Sequence, residues 1–127
     1  MLKHVLVAST LALSLSVFVQ PALAAELSAP SKQEIEHLFS HLEQSGCQFQ
    51  RNGTWHGSPD AASHLRQKYD YLRKKKLLGS AEDFIERAAS QSSMSGKPYE
   101  VRCAPAAAVR SADWLGAELK RYRSRQP

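Results

Sequence analysis

The apolar positions of the chain fall into four stretches of helical periodicity, separated by short segments of alternating polarity. Within each stretch, hydrophobic residues recur every three or four positions, as in an amphipathic helix with one buried side. A serine that can cap a helix stands at the start of each stretch. The predicted helices cover residues 31–44, 58–76, 80–89 and 111–123, and their predicted caps are Ser31, Ser58, Ser80 and Ser111.

The segments between these helices predict a small antiparallel sheet. Residues 47–51 and 54–56 alternate in polarity and flank Asn52-Gly53, a dipeptide typical of a two-residue hairpin turn. Residues 99–103 alternate in the same way. The predicted fold class is therefore α+β, with about four helices packed on a two- to three-stranded antiparallel sheet.

The chain has two cysteines, Cys47 and Cys103, and neither belongs to a Cys-x-x-Cys pair. No redox-enzyme or zinc motif is therefore present. In an oxidising compartment, a single pair of cysteines in a small domain most simply forms one disulfide. This bond would place the segment 47–51 beside 99–103 as neighbouring strands. Two free buried thiols, or one reactive thiol, are the alternatives.

The N-terminal residues have the order of a secretory signal peptide. Lys3 and His4 precede an apolar run over residues 5–19, and Ala22-Leu23-Ala24 has the small-x-small form of a cleavage site. We expect cleavage after Ala24 and export from the cytoplasm. A retained N-terminal anchor is the alternative.

Cleavage at this position would divide the chain into three parts: a connecting segment at 25–30, a single α+β domain at 31–123 and a frayed basic tail at 124–127. No second long apolar run follows the leader. We therefore expect no membrane-spanning segment in the mature chain.

The chain is basic, with 17 Lys and Arg against 12 Asp and Glu. Its formal charge of +5 falls to +4 without the leader, whose one charged residue is Lys3. Outside the cytoplasm, the expected partners of such a protein are anionic envelope components or acidic protein surfaces, and not nucleic acid. The alternative is that the cations only solvate two helix ends, at residues 68–76 and 120–125.

Two groups of residues are candidates for binding. His64, Lys68, Tyr71 and Lys75 follow one another at helical spacing and form a basic and aromatic stripe that could dock an anionic polymer. The stripe could equally be a solubilising flank of the helix. The second group joins the hairpin tip to the loop before the last predicted strand, and consists of Arg51, Asn52, Lys97 and Tyr99. Turn formation alone also accounts for this group.

Catalytic and metal-binding patterns are weak. His37 and His41 share one helix face and are weak candidates for zinc or copper. That face lies opposite the apolar stripe, so we expect both imidazoles to point to solvent. Cys47 with His56 or His64 is the nearest thiol–imidazole combination, and the preceding helix C-terminus disfavours a thiolate there. We expect no enzyme activity and no cofactor.

Several of these stretches occur together in a known family. They are Phe49-x-Arg51-Asn52-Gly53, His64-Leu65-Arg66, Ala81-Glu82-x-Phe84-Ile85 and Ser95-Gly96-Lys97-Pro98-Tyr99-x-Val101. In this order the chain resembles the YfeK-like family of small periplasmic proteins of enteric bacteria. The resemblance covers roughly residues 31–122 and implies an exported protein of the Gram-negative periplasm. It implies no activity, cofactor or catalytic residue.

These observations favour a non-enzymatic periplasmic binding or adaptor protein for an anionic or protein component of the envelope. The residues expected to carry this function are Arg51, Asn52, His64, Lys68, Tyr71, Lys75, Lys97 and Tyr99. An alternative is an inhibitor of an enzyme acting on cell-wall material, or a small hydrolase of that material, with residues 95–99 as an exposed loop. Metal carriage through His37 and His41 is a third hypothesis.

Overall fold

Four helices and four strands follow one another in the computed structural model, which describes residues 14–18 and 26–127. The helices are α1 (Ala29–Gln44), α2 (Ser58–Lys74), α3 (Ala81–Ala88) and α4 (Ser111–Ser124). The strands are β1 (Gln48–Arg51), β2 (Thr54–Gly57), β3 (Glu100–Arg102) and β4 (Val109–Arg110). The α+β class is confirmed. Most of the predicted leader at 1–24, including its cleavage site, lies outside the described residues.

The sheet has the strand order β2-β1-β3-β4, and all three pairings are antiparallel. The prediction of two to three strands was wrong, because it included no strand between residues 103 and 111. Val109 and Arg110 pair with Val101 and Glu100 to form the fourth strand. A strand of two residues is too short to show an alternating pattern, so its pairing depends on tertiary context.

The predicted disulfide is confirmed. Cys47 and Cys103 are bonded, with a Cα–Cα distance of 4.5 Å. They continue the register of β1 and β3 by one position beyond the Gln48–Arg102 pair. The bond therefore closes the open end of the central strand pair, as the sequence predicted.

Three of the four predicted helix caps were displaced. Ser80 does cap α3 and accepts a hydrogen bond from the Asp83 amide at 3.0 Å. Helix α1 instead begins at Ala29, with Ser28 as its cap, so Ser31 lies inside the first turn. Ser28 accepts a hydrogen bond from the Ser31 amide at 3.2 Å. Serines compete for cap positions within a few residues, and Pro30 favours the earlier start because proline suits the first helical turn.

Ser58 and Ser111 are the first residues of α2 and α4, and the cap positions belong to Gly57 and Arg110. Both serines are buried. The Ser58 hydroxyl donates to the Cys47 carbonyl oxygen at 2.9 Å and thereby ties α2 to the start of β1. These two serines therefore join elements together and do not cap helices.

The helices cover the face of the sheet that carries Phe49 and Val101. Helix α1 lies at the centre and contacts the other three helices. Its Phe39 ring packs against the rings of Tyr69 and Phe84, at centroid distances of 5.7 and 5.2 Å. None of the described helices is both long enough and apolar enough to cross a bilayer. On the opposite face of the sheet, the exposed Arg102 guanidinium lies 4.0 Å from the centre of the Trp55 ring.

Candidate functional site

A cavity of about 30 Å³ lies between α2 and the helix-facing side of the sheet. This volume accommodates about two water-sized groups. The strand register explains its composition, because Phe49 is paired with His56, while Arg51 and Tyr99 each lie two positions from a residue on that same face. The cavity is lined by Phe49, Gln50, Arg51, His56, Ala61, His64, Leu65, Tyr99 and Ser111.

Tyr99 is the centre of a hydrogen-bonded chain beside this cavity, and it is 6% exposed. Lys68 Nζ donates to the Tyr99 hydroxyl at 3.2 Å and to the Gln91 carbonyl oxygen at 3.1 Å. The same hydroxyl is hydrogen-bonded to His64 Nε2 at 3.2 Å. Because lysine can only donate, the tyrosine proton is available for His64, whose own proton then resides on Nδ1.

Arg51, His56, His64, Lys68 and Tyr99 are here called the Tyr99 cluster. Burial lowers the pKa of His64, and the charges of Arg51, Lys68 and His56 lower it further. Burial also lowers the pKa of Lys68. The pKa of Tyr99 is raised by burial, an effect that the charge of Arg51 partly offsets.

The Tyr99 cluster is not compensated by acidic groups. Within the part of the chain that the structure describes, no carboxylate forms an ion pair with Arg51, His56, His64 or Lys68. Gathering cations without a counter-charge is unfavourable in a partly buried place. Arg51 therefore lines the cavity as a cation without a carboxylate partner among the described residues.

The predicted stripe on α2 divides into an inner and an outer half. His64 and Lys68 contact Tyr99, as described above, whereas Tyr71 is 60% exposed. The Lys75 ammonium lies 5.9 Å from the centre of the Tyr71 ring. Lys68 and Tyr71, with Arg87, line a second and more open cavity of about 250 Å³. Lys68 therefore contacts Tyr99 and also lines this second cavity, which is here called the groove.

The hairpin tip and the loop at 91–98 are in contact, as the second candidate group required. Asn52 Nδ2 donates to Ser92 Oγ at 3.3 Å, and the Ser95 hydroxyl donates to Asn52 Oδ1. Asn52 and Gly53 have φ angles of 50° and 82°, which confirms the predicted hairpin turn. Lys97 is exposed and does not line the cavity beside Arg51.

The expectation that residues 95–99 form a fully exposed loop was wrong at one end. Tyr99 is buried because the strand pairing turns its ring toward α2, where its edge meets the His64 ring. Met94, which immediately precedes this segment, is 96% exposed.

A second polar cluster joins α1 to α4 around Glu118, which is 5% exposed. His37 Nε2 lies 2.8 Å from Glu118 Oε1, and the Arg121 guanidinium lies 2.8 Å from Oε2. His41 Nδ1 and the Arg125 guanidinium follow at 3.7 and 3.4 Å. Although burial opposes ionisation, these partners hold the pKa of Glu118 at about 2.

The expectation that His37 and His41 point to solvent was wrong. Their side chains are 27% and 28% exposed, because α4 packs across this face of α1. The His37 ring stacks on Tyr122, and the His41 ring packs against Trp114. The signal in the sequence was the spacing of Trp114, Glu118 and Tyr122, which places all three on one face of α4.

The geometry gives little support to a metal at His37 and His41. No group of three or more metal-ligating side chains suited to a metal ion occurs in residues 14–18 and 26–127. The nearest carboxylate, Glu118, is already paired with Arg121 and Arg125. Two guanidinium groups on that carboxylate would repel an incoming cation.

His56 belongs to the Tyr99 cluster, although the sequence pointed to it only as a possible partner of Cys47. It is cross-strand partner to the buried Phe49, so it faces the helices. The signal that could have found it was the alternation of side chains along β2. Once the two-residue turn fixes the register of β2 against β1, His56 falls opposite Phe49.

Residues 29–123 match the family of unknown function DUF5329. The match covers most of the chain and all of the helices and strands that build both polar clusters, apart from the last residue of α4. The chain belongs to this family.

A curated relative supports the resemblance to the YfeK-like family. The chain is 38% identical over 76 residues to the uncharacterized protein YfeK of Salmonella typhimurium. The matched part is 59% of this chain, and it spans 62% of the length of that relative. The resemblance to the YfeK-like family is therefore confirmed. No solved structure matches the chain.

Proposed function

We propose that this DUF5329 protein is an exported, periplasmic and non-enzymatic binding module that recognises an anionic group of an envelope component. The observation that carries the proposal is the Tyr99 cluster. Arg51, His56 and His64 line a cavity, Lys68 contacts Tyr99 beside it, and no described carboxylate pairs with these groups. The leader-like N-terminus and the disulfide support export to an oxidising compartment.

An anion would relieve the electrostatic cost of this cluster. Burial and neighbouring cations lower the pKa of His64, so positive charge at this place is already unfavourable. A bound anion supplies the missing counter-charge and accepts hydrogen bonds from charged donors, which are stronger than neutral ones. The Arg51 guanidinium is the planar, permanently charged donor that suits this purpose.

The groove on the outer side of Lys68 would extend the contact beyond the anionic group. Tyr71 offers an exposed ring, and Lys75 and Arg87 offer further charge. A component that carries its anion at one end would occupy the cavity with that end and rest on the groove with the remainder. This arrangement uses both halves of the α2 stripe in a single binding mode.

We expect the Arg51→Gln variant to bind small anions about tenfold more weakly than the wild type, a loss of about 1.4 kcal/mol. The physical reason is the loss of the guanidinium that lines the cavity and whose charge acts on both His64 and Tyr99. The measurement is a titration with acetate, inorganic phosphate and sulfate at constant ionic strength, followed by the ring resonances of His64. The expected dissociation constant of the wild type for its preferred anion is on the order of millimolar.

The matched control is Arg110→Gln, which removes the same charge from an exposed position. Arg110 is paired with Glu100 and so lies on the face of the sheet opposite the cavity. Equal weakening by both variants would mean that net charge alone attracts anions, and the proposed site would be wrong. The absence of saturable binding by any of the three anions would overturn the proposal as well.

A second candidate function is inhibition of an enzyme that acts on cell-wall material. The observation that favours it is the loop at 91–98, in which the Met94 side chain is almost fully exposed. The loop is closed by hydrogen bonds from the Ser92 amide to the Lys97 carbonyl and from the Gly96 amide to the Ser92 carbonyl, both at 2.9 Å. Such pre-ordering reduces the entropy lost when a loop enters a cleft.

If this candidate is correct, the protein should slow muramidase turnover, and Met94→Asp should weaken that inhibition by about tenfold, since a carboxylate would replace an apolar anchor. Turnover on purified cell walls is the measurement. The control is Val109→Asp, which places the same charge at another exposed apolar position. Undiminished turnover at protein concentrations far above micromolar would eliminate this function.

A further inference from the structure

We infer that the group recognised by the Tyr99 cluster is a carboxylate attached to a short aliphatic segment, and not a phosphate or sulfate ester. This inference rests on the proposed function and specifies its ligand chemistry. Three features of the cavity carry it: its size, the shape of its charged donor and the nature of its walls.

The size of the cavity favours a small planar anion. Its volume of about 30 Å³ accommodates about two water-sized groups, so the two oxygen atoms of a carboxylate would fill it and the aliphatic segment would lie at its opening. Phosphate and sulfate esters present a tetrahedral group with additional oxygens outside one plane. They would require the surrounding side chains to move, and Phe49, Leu65 and Tyr99 are all buried parts of the packed interior.

The donors around the cavity also suit a carboxylate. The guanidinium of Arg51 presents two parallel N–H groups, whose spacing matches the two carboxylate oxygens. His64 is committed to Tyr99 through Nε2, which leaves Nδ1 to donate to a ligand. His56, the cross-strand partner of Phe49, adds a second imidazole to the same wall.

The remaining wall is mostly apolar. Phe49, Ala61 and Leu65 supply its apolar surface, and Gln50 and Ser111 are its polar members. Ala61 is the smallest of these side chains and leaves the space that a larger residue on α2 would fill. A methyl or methylene group next to the carboxylate would lie against this surface and bury apolar area. A strongly hydrated ion without an apolar part would gain nothing from these walls.

Two sources can supply this chemistry, namely the terminal carboxylate of a peptide and a free short-chain carboxylic acid. The groove lined by Lys68, Tyr71 and Arg87 lies on the other side of the Lys68 side chain and would contact only the larger ligand. The two sources are therefore distinguished by whether atoms beyond the aliphatic segment add affinity.

The test is a titration of the folded domain with propionate, N-acetylalanine and inorganic phosphate at constant ionic strength, followed by the His64 ring resonances. We expect propionate to bind at least about tenfold more tightly than phosphate. Tighter binding of N-acetylalanine than of propionate would assign the site to peptide ends, and equal binding would assign it to free acids. Phosphate binding as tightly as propionate would overturn the inference while leaving the proposed anion site in place.

Two variants separate shape from charge. Arg51→Lys keeps the positive charge but loses the planar pair of donors, so we expect about tenfold weaker binding of propionate. Ala61→Leu fills the apolar part of the cavity and should abolish binding of both carboxylates, with circular dichroism confirming the native fold. Unchanged propionate affinity in Arg51→Lys would contradict the inference even if Ala61→Leu fails to fold. If none of the three probes binds, the proposed function fails together with the inference.

Discussion

Removal of the Cys47–Cys103 bond is expected to lower the free energy of unfolding by about 4 kcal/mol. The two cysteines are 56 positions apart, so the bond closes a long loop in the unfolded chain and reduces its conformational entropy. The domain depends on this bond because its strands contain only two to four residues each. Strands this short provide few hydrogen bonds with which to hold β1 against β3.

The measurement is urea-induced unfolding of the oxidised and the reduced protein, which have the same sequence. The double variant Cys47→Ala/Cys103→Ala serves as an irreversible form of the reduced state. Cys47 is buried, so the double variant should be slightly less stable than the reduced wild type through lost packing. Equal unfolding midpoints for the oxidised and reduced proteins would show that the bond contributes nothing to stability.

The sequence carried enough information for the helices and the central strand pair. Apolar residues of α1 such as Ile35, Leu38 and Phe39 recur at helical spacing, and all three are buried. Asn52-Gly53 fixed the hairpin because few other dipeptides adopt its backbone angles so readily. These are local signals, in which the residues that form an element also specify it.

The features that sequence reasoning missed all depend on contacts between distant segments. Strand β4 forms because residues 109–110 lie beside β3, and the Ser111 amide donates to the Tyr99 carbonyl at 2.9 Å. Ser58 was expected to cap a helix, but its hydroxyl donates a hydrogen bond to the Cys47 carbonyl oxygen. A serine at a helix start is compatible with both roles, and packing decides between them.

The candidate site shows the same division. His64 and Lys68 could be grouped from the sequence because they lie one helical turn apart on α2. The position of Tyr99 between them could not, since it depends on how β3 packs against that helix. His56 enters the cluster through the register of β2, which becomes readable only after the turn at Asn52-Gly53 is known.

The two polar clusters of the domain differ in a way that bears on function. Glu118 is bonded to an imidazole of α1 and a guanidinium of α4, and its negative charge balances the guanidinium. The Tyr99 cluster has the cations without the carboxylate. A structural cluster is expected to be complete within the folded chain, whereas a binding site lacks the group that its ligand supplies. This contrast favours a structural role for Glu118 and ligand binding for the Tyr99 cluster.

The balanced cluster should make stability depend on pH in two steps. His41 has its pKa lowered from 6.5, mainly by burial, so the unfolded chain binds its proton more readily than the folded domain. This group therefore leaves the free energy of unfolding at its full value above about pH 6.5 and reduces it as the pH falls below that value. Glu118 has its pKa lowered from 4.5 to about 2, so its contribution is lost as the pH falls from 4.5 toward 2. Both steps destabilise the domain in acid.

Glu118→Gln should lower the free energy of unfolding by about 2 kcal/mol at neutral pH and by almost nothing near the pKa of the wild-type carboxyl. The pKa shift of Glu118 sets an upper limit of roughly 3 kcal/mol. The expected loss is smaller because the Arg121 and Arg125 side chains are more than half exposed, so water stabilises them once the carboxylate is gone. Urea unfolding at about pH 7 and about pH 2 provides the measurement.

Glu86→Gln is the matched control, because Glu86 is exposed on α3 and forms no ion pair with any of the described residues. It should change stability by less than about 0.5 kcal/mol at either pH. A loss in Glu118→Gln that is the same at both pH values would mean that the glutamine disturbs packing. The carboxylate charge would then not be what joins α1 to α4.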